Sequence, residues 1–439
     1  MVIAALLLVS PSAHAWAQGA AGRETLSDAW RIALAADRRL RASGQLTAAA
    51  GHTVVAARAA RQPTLSLEGG YTALSHAPST IVDLPPLTFP GLGAPLRLPF
   101  DRLSIGQARS WAYKAAASLP LYSGGRIGEG VAAAGADVSA ARAAEATAAL
   151  DLKLQVADAY VAVLRMARLR EVVESEVSSL AAHAADAANL LEQGLVAKND
   201  RLAAEVALAD ARERLFQAES ALDSMRAAYN RLLDRPLDYA VALEEPSLPP
   251  IGDDLATLTA RAAARRPEIQ ALTDQADAYA HHAASVLATT RPQASASGGY
   301  SYQENSYQLH PGFWSAGLSM RWNLFDGGAA RAQAAAVRAE AGAAASRRDD
   351  LRSVVGLEVR QAWLALESAE RRVQVAGEVI AQAEENLRVA RDRYGAGVGI
   401  ATEVLDAEVL RARTYTNAAA ASYDRIIAMV RLRRAVGDL

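Results

Sequence analysis

The sequence predicts an α+β protein built twice from one unit, in which paired short strands lead through a glycine pair into a very long alanine-rich helix. Three matches carry this reading. "LPLYSGGRIGEGVAAAGADVSAARAA" from Leu119 returns as "WNLFDGGAARAQAAAVRAEAGAAASRR" from Trp322. "RQPTLSLEGGY", ending at Tyr71, returns as "RPQASASGGY" ending at Tyr300, an offset of 229. Gly124 and Gly194 return at Gly327 and Gly397, an offset of 203. The difference of 26 between the two offsets places the surplus of the first half in "HAPSTIVDLPPLTFPGLGAPLRLPFD". That stretch is dense in Pro and Gly and reads as an exposed loop. Each half is therefore helix, strand, loop, strand, long helix, turn, helix.

In chain order, "MVIAALLLVSPSAHAWAQ" has an apolar core from Val2 to Val9, a helix-breaking Pro11 and small residues at Ala13, Ala15 and Ala17. It reads as a secretory signal over residues 1–17, cut after Ala15 or Ala17, with the true start upstream of Met1 because no basic residue precedes the apolar core. "LSDAWRIALAADRRLRASGQ" and its counterpart "LATLTARAAARRPEIQALTD" are the helices that precede the first strand of each half. The strands alternate in one phase. Leu65, Leu67 and Tyr71 oppose Thr64, Ser66 and Glu68, while Trp314, Leu318, Met320, Trp322 and Leu324 oppose Ser315, Ser319, Arg321 and Asn323. Trp111, Leu119 and Leu121 fall in the apolar set, as do Ala294 and Tyr300. The stretches from Gly125 to Gln193 and from Gly328 to Tyr394 contain no Pro and carry apolar residues at helical spacing, such as Val156, Tyr160, Val163 and Leu164. At ~1.5 Å per residue each helix is about 100 Å long.

Composition excludes several classes. The 439 residues carry a net charge of -2, which gives no basic face for nucleic acid. There is no cysteine, hence no disulfide, thiolate metal site, Cys nucleophile or lipidated Cys. The seven histidines are scattered, and the adjacent His281 and His282 point about 100° apart on a helix, so no metal site is expected. "GGRIGEG" lacks the Lys and spacing of a phosphate-binding loop, no nucleophile elbow is present, and no cofactor is expected.

No window offers the ~18 uninterrupted apolar residues of a membrane-spanning helix, whereas strands of about ten residues with a dyad pattern and aromatics near their ends match transmembrane β-strands. A half-exposed soluble sheet alternates in the same way. Four strands cannot close a barrel, because the smallest need about eight and open edges are not tolerated in lipid. In a membrane the chain must share one barrel with copies of itself, and three chains supply twelve strands.

In its ordered motifs the chain resembles the TolC-type outer-membrane efflux proteins over nearly all of its length. "LSDAWRIALAADRRLRA", "RRPEIQAL", "PLYSGGR", "NLFDGGAAR", "QGLVAKNDRLAAE" and "RYGAGVGIATEVLDAE" carry the resemblance, together and twice over. It implies a homotrimer whose twelve-stranded β-barrel crosses the bacterial outer membrane and whose helices form a long periplasmic tunnel. Residues 18–62, 125–233, 251–290 and 327–439 would build the tunnel. Residues 63–124 and 291–326 would build the barrel strands and extracellular loops, and 234–250 the equatorial connection. Tyr71, Trp111, Tyr300, Trp314 and Trp322 would be its lipid-facing aromatics. The implied role is the exit duct of a tripartite export system, with a periplasmic adaptor and an inner-membrane ABC or proton-driven pump as partners.

The resemblance puts the turns at Gly194, Leu195 and Val196 and at Gly395, Gly397 and Gly399 at the periplasmic tip, where an adaptor docks. Glycine there also serves simply to end a helix. Glu403 and Asp406 would line the closed pore as rings of three carboxylates, and Asp200 matches an acidic gate position. A helix N-terminus favours an acid such as Glu403 in any case. The family's gate arginine is replaced by Gly399, leaving Lys198 or Arg393 as substitutes. Lack of a lipidated Cys leans the expectation towards a type I protein-secretion duct or a general-purpose one, serving protein secretion, drug efflux or both. A soluble periplasmic coiled-coil scaffold and a passive porin are the alternative readings.

Overall fold

The computed structural model describes residues 23–82, 90 and 102–439. The signal segment 1–17, and from the loop 76–100 all but residues 76–82 and 90, lie outside the described residues.

The chain divides into two compact units. The first comprises residues 23–42, 146–267 and 352–439, and its regular elements among the described residues are helices and one isolated bridge. The second comprises residues 43–145 and 268–351 and holds the strands.

The repeat sets the element boundaries. Helices α1 (Leu26–Ala36) and α2 (Arg38–Ala59) precede strand β1 (Thr64–Ala73), then a short hairpin β2 (Ser79–Ile81) and β3 (Arg102–Ser104), and β4 (Arg109–Tyr122). Helices α3 (Arg126–Glu192) and α4 (Lys198–Leu232) complete the half. The second half supplies α5 (Leu255–Arg265), α6 (Pro267–Leu287), β5 (Gln293–Gln303), β6 (Gly312–Arg321), α7 (Ala329–Gly395) and α8 (Ala401–Val436). Both α3 and α7 have 67 residues, about 100 Å of helix.

In one respect the structure differs from the sequence reading. Two helices, and not one, precede each first strand, and the break falls at equivalent positions. After α1, Asp37 is extended and its Oδ1 accepts from the Leu40 amide at 2.7 Å, capping α2. After α5, Arg266 is extended because Pro267 follows, and Pro267 opens α6 at the helix position that tolerates it. The starts are capped alike: Thr25 accepts from Asp28 N and Asp254 from Thr257 N.

The core of the first unit gathers Leu26, Ala29 and Ala33 of α1, the buried stripe of α3 from Leu152 to Leu164, Tyr229 of α4, and Tyr423, Ile427 and Val430 of α8. At its centre the Tyr160 and Tyr229 rings meet edge to face, 6.0 Å apart. The segment before α1 is pinned there. Glu24 makes a parallel bridge with Leu243 in the connection between the repeats, and the Tyr160 hydroxyl lies 2.6 Å from both Glu24 O and Glu244 O. The Glu24 carboxylate accepts from the Tyr229 hydroxyl and, at 2.7 Å, from Arg235 Nη1, itself buried. Burial pushes both phenols well above their ordinary range, and they remain neutral donors.

Candidate functional site

Two places bear on function: the sheet of the second unit and the helix turns of the first.

The sheet is antiparallel with strand order β1-β4-β5-β6, so the two halves meet at its centre through β4 and β5. Directly paired residues share a face. Tyr71 is opposite Trp111, Ala115 opposite Tyr300, and Tyr300 opposite Trp314, which puts these four aromatics on one side. Leu65, Leu67, Leu119, Leu318 and Met320 fall on that side by the same registers, and Trp322 follows in phase. The aromatics cluster, with ring centroids 4.9 Å apart for Tyr71 and Trp111 and 5.2 Å for Tyr300 and Trp314.

The opposite side carries Thr64, Ser66, Glu68, Lys114, Ser118, Ser295, Ser297, Ser301, Ser315, Ser319 and Arg321. Glu68 is directly opposite Lys114, and the Ser295 and Ser319 hydroxyls are 2.9 Å apart. In the single chain the apolar side is open, with Leu65, Trp314 and Leu318 each over 80% exposed. β1 and β6 have no neighbour on their outer edges within the sheet. Of the described residues, no helix is long and apolar enough to cross a membrane.

The turns between α3 and α4 and between α7 and α8 share their first bonds and differ one residue later, where Val196 of the first stands at the place of Gly399 in the second, and of these two amides that of Gly399 alone donates back to its helix, at Arg393 O. Gly194 and Gly397 adopt φ of 74° and 73°, the left-handed region glycine enters without strain. Around them Leu195 N donates to Leu190 O and Gly194 N to Leu191 O, while Val398 N donates to Arg393 O and Gly397 N to Tyr394 O. These paired bonds satisfy the carbonyls a helix end leaves free. Gly399 has a different reason. A Cβ there would lie 3.0 Å from Tyr394 N and 3.1 Å from Arg393 C, so the turn closes too tightly for a side chain. The two turns pack together, Leu190 and Val196 lying against Leu387, Ala390, Tyr394, Ala401 and Val404.

Of the expected gate residues, Glu403 and Asp406 stand in the first turns of α8, beside the inward-facing Ala401, Val404 and Ala407. Asp406 is exposed. Glu403 pairs with Arg393 at 3.5 Å, so of the two substitutes for the family arginine this one engages an acid of its own hairpin and not Asp200. Asp200 lies in the first turn of α4, and its charge acts on the Tyr394 phenol, which is pushed up by burial first and then by Asp200 and Asp186. Lys198 is exposed.

A buried polar knot behind the turns escaped the sequence reading. Glu408 of α8 is 1% exposed; it accepts from Ser179 Oγ of α3 at 2.5 Å and from Arg391 of α7, and Arg411 approaches at 3.5 Å. Arg411 also bonds Glu384 at 2.8 Å and Ser175 at 3.0 Å. That bond holds Glu384 below the usual carboxylate range. Next along α3, buried His183 packs against Tyr394. The signal was present: Glu176, Leu180, His183 and Ala187 form one 4-3-4 stripe, all buried, so two polar residues occupy core positions. Of the described residues, no three His, Asp or Glu converge as a metal site; His281 instead pairs with Glu129 at 2.8 Å.

A sheet with one apolar and one polar side and, among the described residues, no partner at either edge fits the class of outer-membrane channel subunits. The chain belongs to the outer membrane efflux protein family, whose pattern matches residues 30–233 and 258–438. It is therefore an outer-membrane efflux protein and not an enzyme. Solved structures share the fold. The outer-membrane channel OprN is 21% identical, with a TM-score of 0.75 over 94% of this chain and 90% of that one. VceC from Vibrio cholerae is 19% identical, with a TM-score of 0.75 over 94% and 96%. The open state of the Neisseria gonorrhoeae MtrE channel is 18% identical, with a TM-score of 0.74 over 94% and 88%. No curated protein sequence matches.

Proposed function

We propose that three copies of this chain close one twelve-stranded barrel and one helical tunnel, forming the exit duct of a tripartite export system. The observation that carries this is the sheet: its apolar side suits lipid, its polar side suits a water-filled lumen, and its free edges need a further copy on each flank. Tyr71, Trp111, Tyr300, Trp314 and Trp322 then face lipid at the two interfaces. The tip formed by Gly194, Leu195, Val196, Gly395, Gly397 and Gly399 docks a periplasmic adaptor. Glu403 and Asp406 become rings of three carboxylates at the closed end, with Asp200 beside them. Like charges that close attract cations.

The duct passes cargo selected by an inner-membrane ABC or proton-driven pump, either a protein in type I secretion or a small toxic molecule in efflux. The test compares culture-supernatant proteins, and drug, dye and metal sensitivity, between a deletion strain and its parent, with plasmid rescue. Loss of one large secreted protein makes the route type I secretion, and sensitivity with an unchanged secretome makes it small-molecule efflux. A rescued strain indistinguishable from the deletion in every assay contradicts the export role.

A further inference from the structure

The first unit leaves two apolar stripes uncovered. On α4, Leu202, Val206 and Phe216 face solvent, Phe216 at 69% exposure. On α7, Val375, Val379 and Val389 do the same, Val375 at 61%. Above Val389 the second stripe borders a groove of about 750 Å³ between α7 and α8, with Ala376, Ala420 and Ala421 among its lining residues. These small residues leave room for a large apolar side chain beside Val375 and Val379, while Glu367, Arg371 and Arg372 also line the groove.

The two stripes stand at matching levels. Leu190 and Val196 of one turn pack against residues of the other, so both turns share a level from which each helix can be measured. Phe216 lies about 27 Å from the start of α4, at ~1.5 Å per residue. On the same scale Val379 and Val375 lie about 24 and 30 Å from the end of α7, and Asn417 and Ala420 about 24 and 29 Å from the start of α8. Lower down, Leu202 and Val206 at about 6 and 12 Å bracket Val389 at about 9 Å.

We infer that Phe216 of one copy seats in the α7–α8 groove of the next, between Val375, Val379 and Asn417, and fastens the tunnel below its middle. The inference rests on the proposed trimer and adds the contact that holds it. The partner is a second copy because donor and acceptor stripes are different surfaces of one chain; such a contact repeated by a threefold rotation closes into a ring. It also continues the association that the open sheet edges require.

The absence of cysteine gives a clean background for crosslinking. The full-length protein carrying Phe216→Cys with Val379→Cys, oxidised in outer membranes, is expected to run as covalent dimers and trimers on non-reducing gels. Phe216→Cys with Leu357→Cys, about 57 Å from the end of α7, should stay monomeric under the same oxidation. Phe216→Ala is expected to lower several-fold the fraction of trimer surviving mild detergent, with Phe216→Leu retaining most of it. A native mass of three chains without the 216–379 crosslink overturns this contact and leaves the trimer standing, the groove then being free for another occupant such as an adaptor helix. A native mass of one chain overturns both.

Discussion

The rings of His183 in α3 and Tyr394 in α7 lie 5.1 Å apart, tilted by 60°, and join the two helical hairpins just behind their turns. His183 is 4% exposed and its Nε2 has no hydrogen-bond partner. Burial holds its pKa below the ordinary 6.5; Glu408 pulls it back up, Arg391 presses it further down and Asp186 raises it. A histidine with a depressed folded pKa favours folding as the neutral ring, so its contribution is full above about 6.5 and is lost as pH falls through that value towards the folded one. The thermal midpoint of the purified protein should drop between pH 7 and pH 5, and the drop should shrink in His183→Gln. Equal drops in both proteins would remove His183 from the account.

Glu408 ties three helices through one carboxylate. Replacing it by alanine removes the acceptor shared by Arg391 and Ser179, which keep their bond to each other, and leaves Arg411 with one partner fewer; losing hydrogen bonds to a charged group costs about 2 kcal/mol. Glu408→Ala should lower the melting midpoint by several degrees, whereas Arg168→Ala, which removes an exposed pair with Glu171, should change it little. Calorimetry of the two variants side by side checks the contrast.

The turn glycines separate strain from crowding. At Gly397 a Cβ would touch nothing within 4 Å, yet φ is positive, so Gly397→Ala should cost about 1 kcal/mol through the backbone alone. At Gly399 the obstacle is contact, an added Cβ meeting Tyr394 N at 3.0 Å and Arg393 C at 3.1 Å. Gly399→Ala should therefore lower the midpoint of a thermal melt through crowding of the turn's backbone, where Gly397→Ala lowers it through φ.

The acids at the tip are testable in planar bilayers. Asp200→Ala should raise resting conductance, and Glu403→Gln with Asp406→Asn should reduce cation preference, read as a smaller reversal potential in a salt gradient. Unchanged conductance in Asp200→Ala would mean that Asp200 is no gate residue.

Much of the fold was legible because the repeat marks its own boundaries. Shifting Leu26, Arg38 and Thr64 by 229 gives the starts of α5, α6 and β5, and shifting Arg109, Arg126 and Lys198 by 203 gives those of β6, α7 and α8. Strand faces were legible from alternation alone. The pairing of β4 with β5 across the halves was not, since register between distant strands depends on tertiary closure and not on local pattern. The breaks at Asp37 and Arg266 were written in a capping acid and a proline that helical periodicity had masked. The stripe of Glu176, Leu180, His183 and Ala187 marked His183 as a core position, whereas the burial of Glu408 was hidden because the partners that make it tolerable are distant in the linear chain.

In a closed barrel β6 faces lipid on one side and water on the other. Single cysteines placed along Phe313–Arg321 and probed in intact outer membranes with a water-soluble maleimide read this alternation. Labelling is expected at 315, 317 and 319, with protection at 314, 316 and 318. Uniform labelling, or the opposite alternation, would contradict the closed barrel.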